Sequence, residues 1–568
     1  MISKSGCFVA RAAHPLLSVL LLLLVVVGTA VQAQQPPSSA DYEQPDFSLI
    51  PVYDEFFNRP ESYSRLHLHV LGVKGDGPFF WNLRMHDAIL TVNTYGNDVG
   101  STDYFDVGVY QSNPVKATPR QEYLYPITLK QFLFYKTNGT AGITFTLRED
   151  NCIGQDDQLL QFDLPIEEFP AVGEDYVEYT RSSTTSSRLD PVEVVFRLKV
   201  TRNTDTYVSE QDLLDMTTNF DSTKYPGIEY KETEFNLTQN TGTYNFQRGG
   251  DKFLLQSWKH TDASQVQGAV LWVIGRTDSF MHPHVVETLF FGSTSTYKMD
   301  LYVVNWRLNG LAALEKEWLT DPNFWSHNAY GDLDIYDEEM QLAIDAMVPS
   351  DGTSTYDKTI AYCHSTGATI LFNYFINNGQ TNSGFDGIIL NSPLLDYDQL
   401  VYEELYLEYL VGPLVAVGIW DETQFVQAPN TLPENVTKIE YLGLELYMQS
   451  DKARLTTVHP TPWKWRRNYA IANTAGFVQG VSKAFRKFKF KAPLVRDVPV
   501  LVLTSSYGDT ILDTQDIEEY SRKYVSRDRE LVKFKYNYHD VFFAVDYEEE
   551  VEAIVKVREW IGQNIITG

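Results

Sequence analysis

Apolar and polar residues alternate with a period of two through much of the first half of the chain. The clearest run is residues 192–200, in which one face carries Val192, Val194, Phe196, Leu198 and Val200. Similar runs cover residues 65–71, 88–92 and 142–147, and turn-forming Gly, Asn, Asp and Pro residues separate them. Because side chains of a β strand point alternately to opposite faces, this pattern predicts an all-β sandwich domain over residues 65–202.

The second half of the chain alternates uninterrupted apolar runs with stretches of helical spacing. The apolar runs are residues 269–274, 301–304, 359–362, 387–390, 500–503 and 531–536. Helical spacing relates Leu333, Tyr336, Met340, Ala343, Ile344 and Met347, and a last helix carries Val551, Ile554, Val555 and Ile561. Strands that are apolar on both faces are typical of a parallel sheet covered by helices on both sides. The pattern therefore predicts an α/β domain over residues 246–568.

The remaining internal segments are expected to connect or cover these two domains. Residues 34–64 are rich in Pro, Ser and acidic residues and are expected to form a linker. The polar residues 203–245 are expected to connect the two halves. Residues 397–495 interrupt the strand and helix alternation with aromatic, helix-compatible sequence, and we expect them to form a helical cap over the sheet edge.

The first 33 residues have the layout of a signal peptide. Lys4 and Arg11 precede a short apolar run at residues 16–27, and small residues end at Ala33. The run is shorter than the roughly 20 apolar residues of a membrane span, and an uncleaved N-terminal anchor is the alternative. Three Asn-x-Ser/Thr glycosylation acceptors fit the secretory route, namely Asn138, Asn236 and Asn435. The sequence predicts a secreted or lumenal glycoprotein.

Charge and cysteine content narrow the functional classes. The formal net charge of the 568 residues is −29, which argues against nucleic acid as a partner. The same charge would repel anionic membranes at long range. Only three cysteines are present, so no disulfide framework supports the fold. Of these, Cys363 lies in an apolar run and is expected to be a free, buried thiol.

The clearest candidate chemistry lies in the sequence Cys-His-Ser-Thr-Gly at residues 363–367. A strand-like run leads into it, and a helix-compatible run at residues 369–378 follows. Strand, turn with a serine, and helix is the layout of a nucleophile elbow, which presents a serine hydroxyl at the edge of a sheet. The segment predicts a serine hydrolase with Ser365 as its nucleophile.

A base and an acid follow Ser365 in the order that such enzymes use. Asp509 lies in the loop after the apolar run at residues 500–503, and His539 lies in the loop after residues 531–536. Carboxyl ends of strands are where open α/β sheets place their sites. We expect His539 to accept the proton of Ser365, and Asp509 to orient His539. The main-chain N–H groups of Arg276 and Thr366 are expected to hold the oxyanion.

Taken together in this order, the motifs of residues 245–568 resemble the α/β-hydrolase superfamily, in its branch of monoacylglycerol lipases, lysophospholipases and serine aminopeptidase-like proteins. The matching segments are residues 269–280, 333–346, 364–367, 390–393, 508–513 and 538–540. The resemblance implies hydrolysis of an ester or amide with neither a metal nor an organic cofactor. It also implies an α/β-hydrolase fold with a helical cap.

The chain departs from the family pattern at two positions. Cys363 stands where the first glycine of the elbow is usual, and Ile274 stands where a histidine precedes Gly275 in many relatives. A side chain at the first position predicts a strained or displaced turn. Two alternatives also stay open: Asp513 competes with Asp509 for the acid role, and Ser365 could instead cap a helix in an inactive relative.

Several polar clusters have simpler interpretations than a binding site. Residues 147–162 resemble a calcium loop of a lipid-binding sandwich domain, which makes Asp150, Asp156 and Asp157 weak calcium candidates. No other metal site is expected, because His282 and His284 lack a Cys or Glu partner motif. Asp540 is interpreted as a solvated turn residue, and His364 is expected to point away from the site. The positive stretch of the cap is interpreted as a solvated helix face, with attraction of an anionic head group as the alternative. It consists of Arg466, Arg467, Lys483, Arg486, Lys487, Lys489 and Lys491.

The best functional prediction is a secreted serine hydrolase of carboxylic esters. Its partner is expected to be a small-molecule or lipid ester, and peripheral contact with a membrane is left open. A serine peptidase is the nearer alternative. An inactive hydrolase fold that acts as a binding protein is the alternative from another class, since fold alone does not determine function.

Overall fold

A computed structural model gives the architecture. It describes residues 63–75, 88–95, 110–111, 123–125, 129–136, 142–149, 157–182, 192–202, 215–217, 220–238, 252–276, 278, 280–291, 297–307, 333–348, 356–379, 384–396, 425–427, 473–506, 512, 514–527, 529–535, 537, 539–544 and 547–567.

The first half of the chain forms two antiparallel sheets. Its strands are β1 (Tyr63–Gly75), β2 (Ala88–Tyr95), β3 (Tyr110–Gln111), β4 (Tyr123–Tyr125), β5 (Leu129–Lys136), β6 (Gly142–Glu149), β7 (Asp157–Pro165), β8 (Val177–Ser182) and β9 (Val192–Arg202). One sheet has the order β4-β1-β9-β8, with β5 also paired to β1, and the other has the order β3-β2-β6-β7.

The period-two pattern explains how these strands pack. Val194, Phe196, Leu198 and Val200 are all fully buried on β9, as their alternation predicts. The ring of Phe196 stacks on that of Phe145, from a strand of the other sheet, with a centroid distance of 4.6 Å. Aromatic contact therefore joins the two sheets, while the all-β sandwich over residues 65–202 stays a prediction.

An eight-stranded mixed sheet organises the second half. Its strands are β10 (Ile228–Asn236), β11 (Lys252–His260), β12 (Gly268–Val273), β13 (Met299–Asn305), β14 (Thr359–His364), β15 (Gly387–Asn391), β18 (Val500–Ser505) and β19 (Glu530–Phe534). The short strands β16 (Phe425–Gln427) and β17 (Asn473–Thr474) pair separately. The strand order is β10-β11-β13-β12-β14-β15-β18-β19. β10 and β11 run antiparallel to their neighbours, and the remaining pairs are parallel.

Helices cover this sheet. They are α1 (Pro283–Val286), α2 (Asp337–Met347), α3 (Thr366–Asn377), α4 (Ala475–Lys491), α5 (Thr514–Tyr520) and α6 (Tyr547–Ile561). Single 3-10 turns occur at Ile166–Glu168, Ala263–Gln265 and Leu333–Tyr336, and π turns at Glu287–Phe291, Ser521–Val525 and Gly562–Ile566. Every residue of β12, β13, β14, β15 and β18 is buried, which confirms the covered α/β sheet that the apolar runs predict.

Two segments differ from their expected roles. β10 lies within residues 203–245, which were expected only to connect the halves, yet it is the first strand of the large sheet. α4 lies within residues 397–495, the expected cap. Its Phe485 and Phe488 belong to the main core, where Phe488 meets Phe372 of α3 edge to face at 6.2 Å. Most of the expected cap lies outside the described residues.

Three lysines of the positive stretch on α4 lie beside carboxylates. Lys483 Nζ lies 2.8 Å from Asp334 Oδ2, and Lys487 Nζ lies 2.5 Å from Asp334 Oδ1. Lys489 Nζ lies 3.1 Å from Asp396 Oδ2. All three lysines are half-buried or exposed, so this face of α4 is solvated as interpreted and is also paired with carboxylates that precede α2 and follow β15.

The expectations about export rest mainly on residues outside the described part of the chain. The signal segment, the linker, Asn138 and Asn435 all lie outside it. Asn236 ends β10 and is exposed. Within the part of the chain that the structure describes, no helix combines the length and apolar character needed to cross a membrane.

Candidate active site

A sharp turn at Ser365 joins β14 to α3 at the carboxyl edge of the large sheet. Ser365 has φ 50° and ψ −121°, a conformation that side-chain-bearing residues rarely adopt. Such a residue costs about 1–3 kcal/mol and persists only where its surroundings fix it. The strained strand-to-helix turn predicted for this segment is present, with a half-buried serine at its apex.

Main-chain hydrogen bonds hold the turn in this conformation. Ser365 N–H donates to Asn391 O at 2.9 Å, and Ser365 O accepts from the N–H groups of Leu394 and Ala368, each at 3.1 Å. Ser365 occupies the N-cap position of α3, but its hydroxyl makes no capping hydrogen bond. A helix-capping role therefore does not explain this serine.

Two glycines bring the loop after β12 against the turn. A Cβ atom on Gly367 would lie 2.6 Å from Val273 O and 2.8 Å from Ile274 O. A Cβ atom on Gly275 would lie 3.2 Å from Ser365 Cβ. The two segments thus touch through positions that carry no side chain, and Gly275 directly flanks Ser365.

Cys363 does not prevent this arrangement. It is the penultimate residue of β14, is fully buried, and carries a free thiol, as predicted. Burial raises the pKa of this thiol well above its usual value, so it stays protonated and unreactive. The strain expected from Cys363 is instead located at Ser365.

The two expected oxyanion donors lie on either side of the turn. Thr366 is the first residue of α3, where main-chain N–H groups have no partner within the helix. Arg276 follows Gly275, and its guanidinium carbon lies 3.6 Å from the ring centroid of Phe477 on α4. Burial lowers the pKa of Arg276 to about 10. Trp306 Nε1 donates to Ile274 O at 3.0 Å and so anchors this loop.

His539, the expected base, is buried close to the elbow. Its ring centroid lies 5.0 Å from that of His364, the residue immediately before Ser365. His364 therefore does not point away from the site, which corrects the sequence interpretation. His364 Nδ1 is 2.7 Å from Asp278 Oδ2, an oxygen that also accepts from Gly275 N–H at 3.3 Å.

Asp540 is buried, not a solvated turn residue, so that interpretation is wrong. Its Oδ2 is 2.5 Å from His282 Nε2, and its Oδ1 accepts from Asn391 Nδ2 at 2.7 Å. Burial alone would raise the pKa of Asp540. The imidazoles of His282 and His364 and the hydrogen bond from Phe542 N–H instead hold the pKa well below its usual value. The carboxylate is therefore charged.

Several predicted site residues lie outside the described part of the chain. They are Asp509, its competitor Asp513, and the calcium candidates Asp150 and Asp156. Asp157 begins β7. Among the described residues, no group of three or more His, Cys, Asp or Glu side chains is placed to hold a metal ion. His282 and His284 instead bond to Asp540 and to Phe542 O.

The structure adds polar contacts that sequence reasoning missed, namely a buried cluster of His282, Asn391 and Asp540 and the separate Asp278–His364 pair. One signal was available. Asn391 directly follows an apolar run, and the His-x-His pair lies in the loop after another apolar run. A polar residue that is buried at such a place requires a hydrogen-bond partner. Which residues would be partners was not visible, because the partners are far apart in sequence.

Comparison with known proteins gives likeness to solved structures only. Neither a model of a protein family nor a curated protein matches the sequence. A monoglyceride lipase variant from Saccharomyces cerevisiae is 15% identical, with 56% of this chain and 93% of that chain covered and a TM-score of 0.39. A carboxyl esterase from Bacillus coagulans is 12% identical, with 59% and 98% covered and a TM-score of 0.41.

A peroxisomal alpha-beta-hydrolase from Saccharomyces cerevisiae is 10% identical, with 60% of this chain and 88% of that chain covered and a TM-score of 0.34. These neighbours are of the α/β-hydrolase superfamily, the one that the sequence motifs resemble. Their TM-scores lie below 0.5, so only the strand order, the elbow and the buried side chains of this chain itself bear on its function.

Proposed function

We propose that this protein is a serine hydrolase of carboxylic esters, with Ser365 as nucleophile, His539 as general base and Asp509 as the acid that orients His539. One observation carries the proposal. Ser365 is a residue with positive φ at a strand-to-helix turn, its hydroxyl does not cap the helix, and a buried histidine lies beside the turn. Backbone strain of this kind concentrates at functional sites.

The proposed reaction has two acyl-transfer steps. Ser365 Oγ attacks the acyl carbon while His539 takes its proton, and the carbonyl oxygen becomes an oxyanion. Main-chain N–H groups of Thr366 and Arg276 bind that oxyanion. His539 then gives the proton to the departing alcohol, which leaves an acyl group on Ser365. Water attacks this ester with His539 again as base, which releases the acid and restores the serine.

The substrate class follows from the superfamily resemblance and the charge of the chain. We propose that the substrate is a small-molecule or lipid ester. We also propose that the protein is secreted and carries glycans at exposed positions such as Asn236. A peptide substrate and a binding role without turnover are the competing outcomes of the experiment below.

Hydrolysis of p-nitrophenyl esters of increasing acyl length tests the proposal. Parent protein is expected to release p-nitrophenol, and Ser365→Ala is expected to lower kcat by about 10⁴-fold or more, since loss of a nucleophile has effects of that size. Ser392→Ala is the matched control, because Ser392 also has a positive φ, 42°, and lies at the same edge of the sheet, but it is fully buried. It is expected to keep the parent rate.

Equal rates for the parent and Ser365→Ala would contradict the proposal. If folded parent protein cleaves no ester but cleaves peptide p-nitroanilides in a Ser365-dependent manner, the peptidase alternative is correct. A folded parent that cleaves neither substrate favours the binding protein.

A further inference from the structure

Asn391 contacts both of the segments that the proposed reaction must bring together. Its main-chain O accepts from Ser365 N–H at 2.9 Å. Its side-chain Nδ2 donates to Asp540 Oδ1 at 2.7 Å, and its Oδ1 accepts from Val541 N–H at 3.2 Å. Asp540 and Val541 directly follow His539. Asn391 thus bonds through its main chain to the turn at Ser365 and through its side chain to the loop that carries His539, which we call the histidine loop.

The orientation of the Asn391 amide is fixed by its partners. Its Nδ2 also lies 2.6 Å from Tyr362 Oη, so the nitrogen has two acceptors while the oxygen has a main-chain donor. Reversing the amide would place its oxygen against the Asp540 carboxylate. Asn391 is fully buried, and a fully satisfied polar network in such surroundings is rigid.

His282 is a further hydrogen-bond partner of the histidine loop. Met281 N–H donates to His282 Nδ1 at 3.3 Å, and His282 Nε2 lies 2.5 Å from Asp540 Oδ2. His282 and Asp540 are 1% and 2% exposed. Asn537, on the other side of His539, donates from Nδ2 to Val541 O at 2.7 Å and closes the loop on itself. The main chain around His539 is therefore tied at several points.

We infer that Asn391 is a positioning residue, which acts through Asp540 to hold His539 in register with Ser365. The inference rests on the proposed function, because it assigns Asn391 a task only if Ser365 and His539 react together. Catalytic groups lose about 100-fold in rate when they are displaced by about 1 Å. The side-chain amide ties the loop after His539 to the strand end whose main chain holds the Ser365 turn, so its loss is expected to lower kcat.

Kinetics of p-nitrophenyl acetate hydrolysis by Asn391→Ala tests the inference. We expect kcat to fall about 10- to 100-fold, with KM within about twofold of the parent value, because the acyl-binding surface is unchanged. Asn373→Ala is the matched control. Asn373 is also a buried asparagine, and it bonds to Asp334 and Lys487 away from the histidine loop. It is expected to lower the thermal midpoint comparably while kcat stays at the parent value.

Asn391→Asp adds a readout that a purely structural role would not change. It would place a second carboxyl group beside Asp540, with His282, Tyr362 and the Asp278–His364 pair as the other titratable groups close by. Two adjacent carboxylates cannot both ionise readily, so the pKa of one rises. The protonated carboxyl can donate to Asp540 as the amide did. We therefore expect kcat relative to parent to rise as the pH falls from 9 to 6, whereas the ratio for Asn391→Ala stays flat.

The outcomes separate the two proposals. If parent protein shows no Ser365-dependent turnover, the proposed function and this inference both fall. If parent protein turns over and Asn391→Ala matches Asn373→Ala in kcat, only the positioning role of Asn391 is overturned. A rise in KM without loss of kcat would also overturn it.

Discussion

At the residue scale, the turn at Ser365 depends on the lack of a side chain at Gly367. The Cβ atom introduced by Gly367→Ala would lie 2.6 Å from Val273 O, so the loop carrying Gly275 and Arg276 must move. We expect a stability loss of about 1–3 kcal/mol, as is usual for overpacking, together with a fall in kcat. Thermal unfolding and ester hydrolysis measure the two effects.

Gly379→Ala is the control for that prediction. Gly379 ends the turn after α3 with φ +65°, and among the described residues its would-be Cβ has no non-adjacent atom within 4 Å. An alanine there is strained by its backbone alone, so stability should fall while kcat of the folded protein is unchanged. If Gly367→Ala keeps the parent kcat, the loop after β12 does not contribute to catalysis.

Residue types and their order were enough to predict the strand-to-helix turn at Ser365, because a strand–serine–helix pattern is local, while the catalytic roles of Ser365 and His539 stay a prediction. Asp540 was misinterpreted for the opposite reason. Its partners Asn391 and His282 lie 149 and 258 positions away along the chain. Nothing in the adjacent sequence distinguishes a turn aspartate in water from one that is buried by residues so distant.

At the element scale, Trp306 anchors the loop after β12 to the end of β13. Trp306→Phe removes the Nε1 donor to Ile274 O but retains an aromatic ring in the core. We expect kcat to fall about 3- to 30-fold, because the loop that carries the Arg276 N–H becomes less well placed, with KM nearly unchanged. Steady-state kinetics gives both values, and an unchanged kcat would show that this hydrogen bond does not position the loop.

The apolar strands were predictable because full burial on both faces produces uninterrupted apolar runs. β10 was missed because most of its residues are exposed or half-buried, and its sequence is accordingly polar. Edge strands of this kind resemble connecting segments until their neighbour is known. For α4 the helix-compatible sequence was recognised, but its packing on α3 was not predicted.

At the scale of the whole molecule, one buried ion pair links the large sheet to its covering helices. Arg307 Nε and N–H both donate to Glu339 Oε1, at 3.0 and 2.9 Å, and both side chains are fully buried. Glu339→Gln leaves the Arg307 charge without this carboxylate, which we expect to cost about 3–5 kcal/mol. Urea unfolding measures the loss.

Glu559→Gln is the control, because the Lys556–Glu559 pair is exposed and should contribute less than about 1 kcal/mol. Equal effects of the two substitutions would contradict the buried placement of Arg307 and Glu339.

Acid pH should destabilise the protein through its buried carboxylates. Burial opposes ionisation of Asp278 and Asp540, but the neighbouring histidines keep the pKa of both groups below the usual value. Their stabilising effect is therefore present above the unfolded-state pKa of about 4 and is lost as the pH falls below it. Urea midpoints between pH 3 and 7 should fall less steeply for Asp540→Asn than for the parent. Parallel curves would contradict this.

The most direct test of the central claim is mass spectrometry of the folded protein after reaction with a fluorophosphonate, which phosphonylates only an activated serine. We expect one adduct, located on the peptide that contains Ser365, and no adduct in Ser365→Ala or after prior unfolding. An unmodified parent protein, or an adduct that persists in Ser365→Ala, would show that the turn between β14 and α3 does not present a reactive nucleophile.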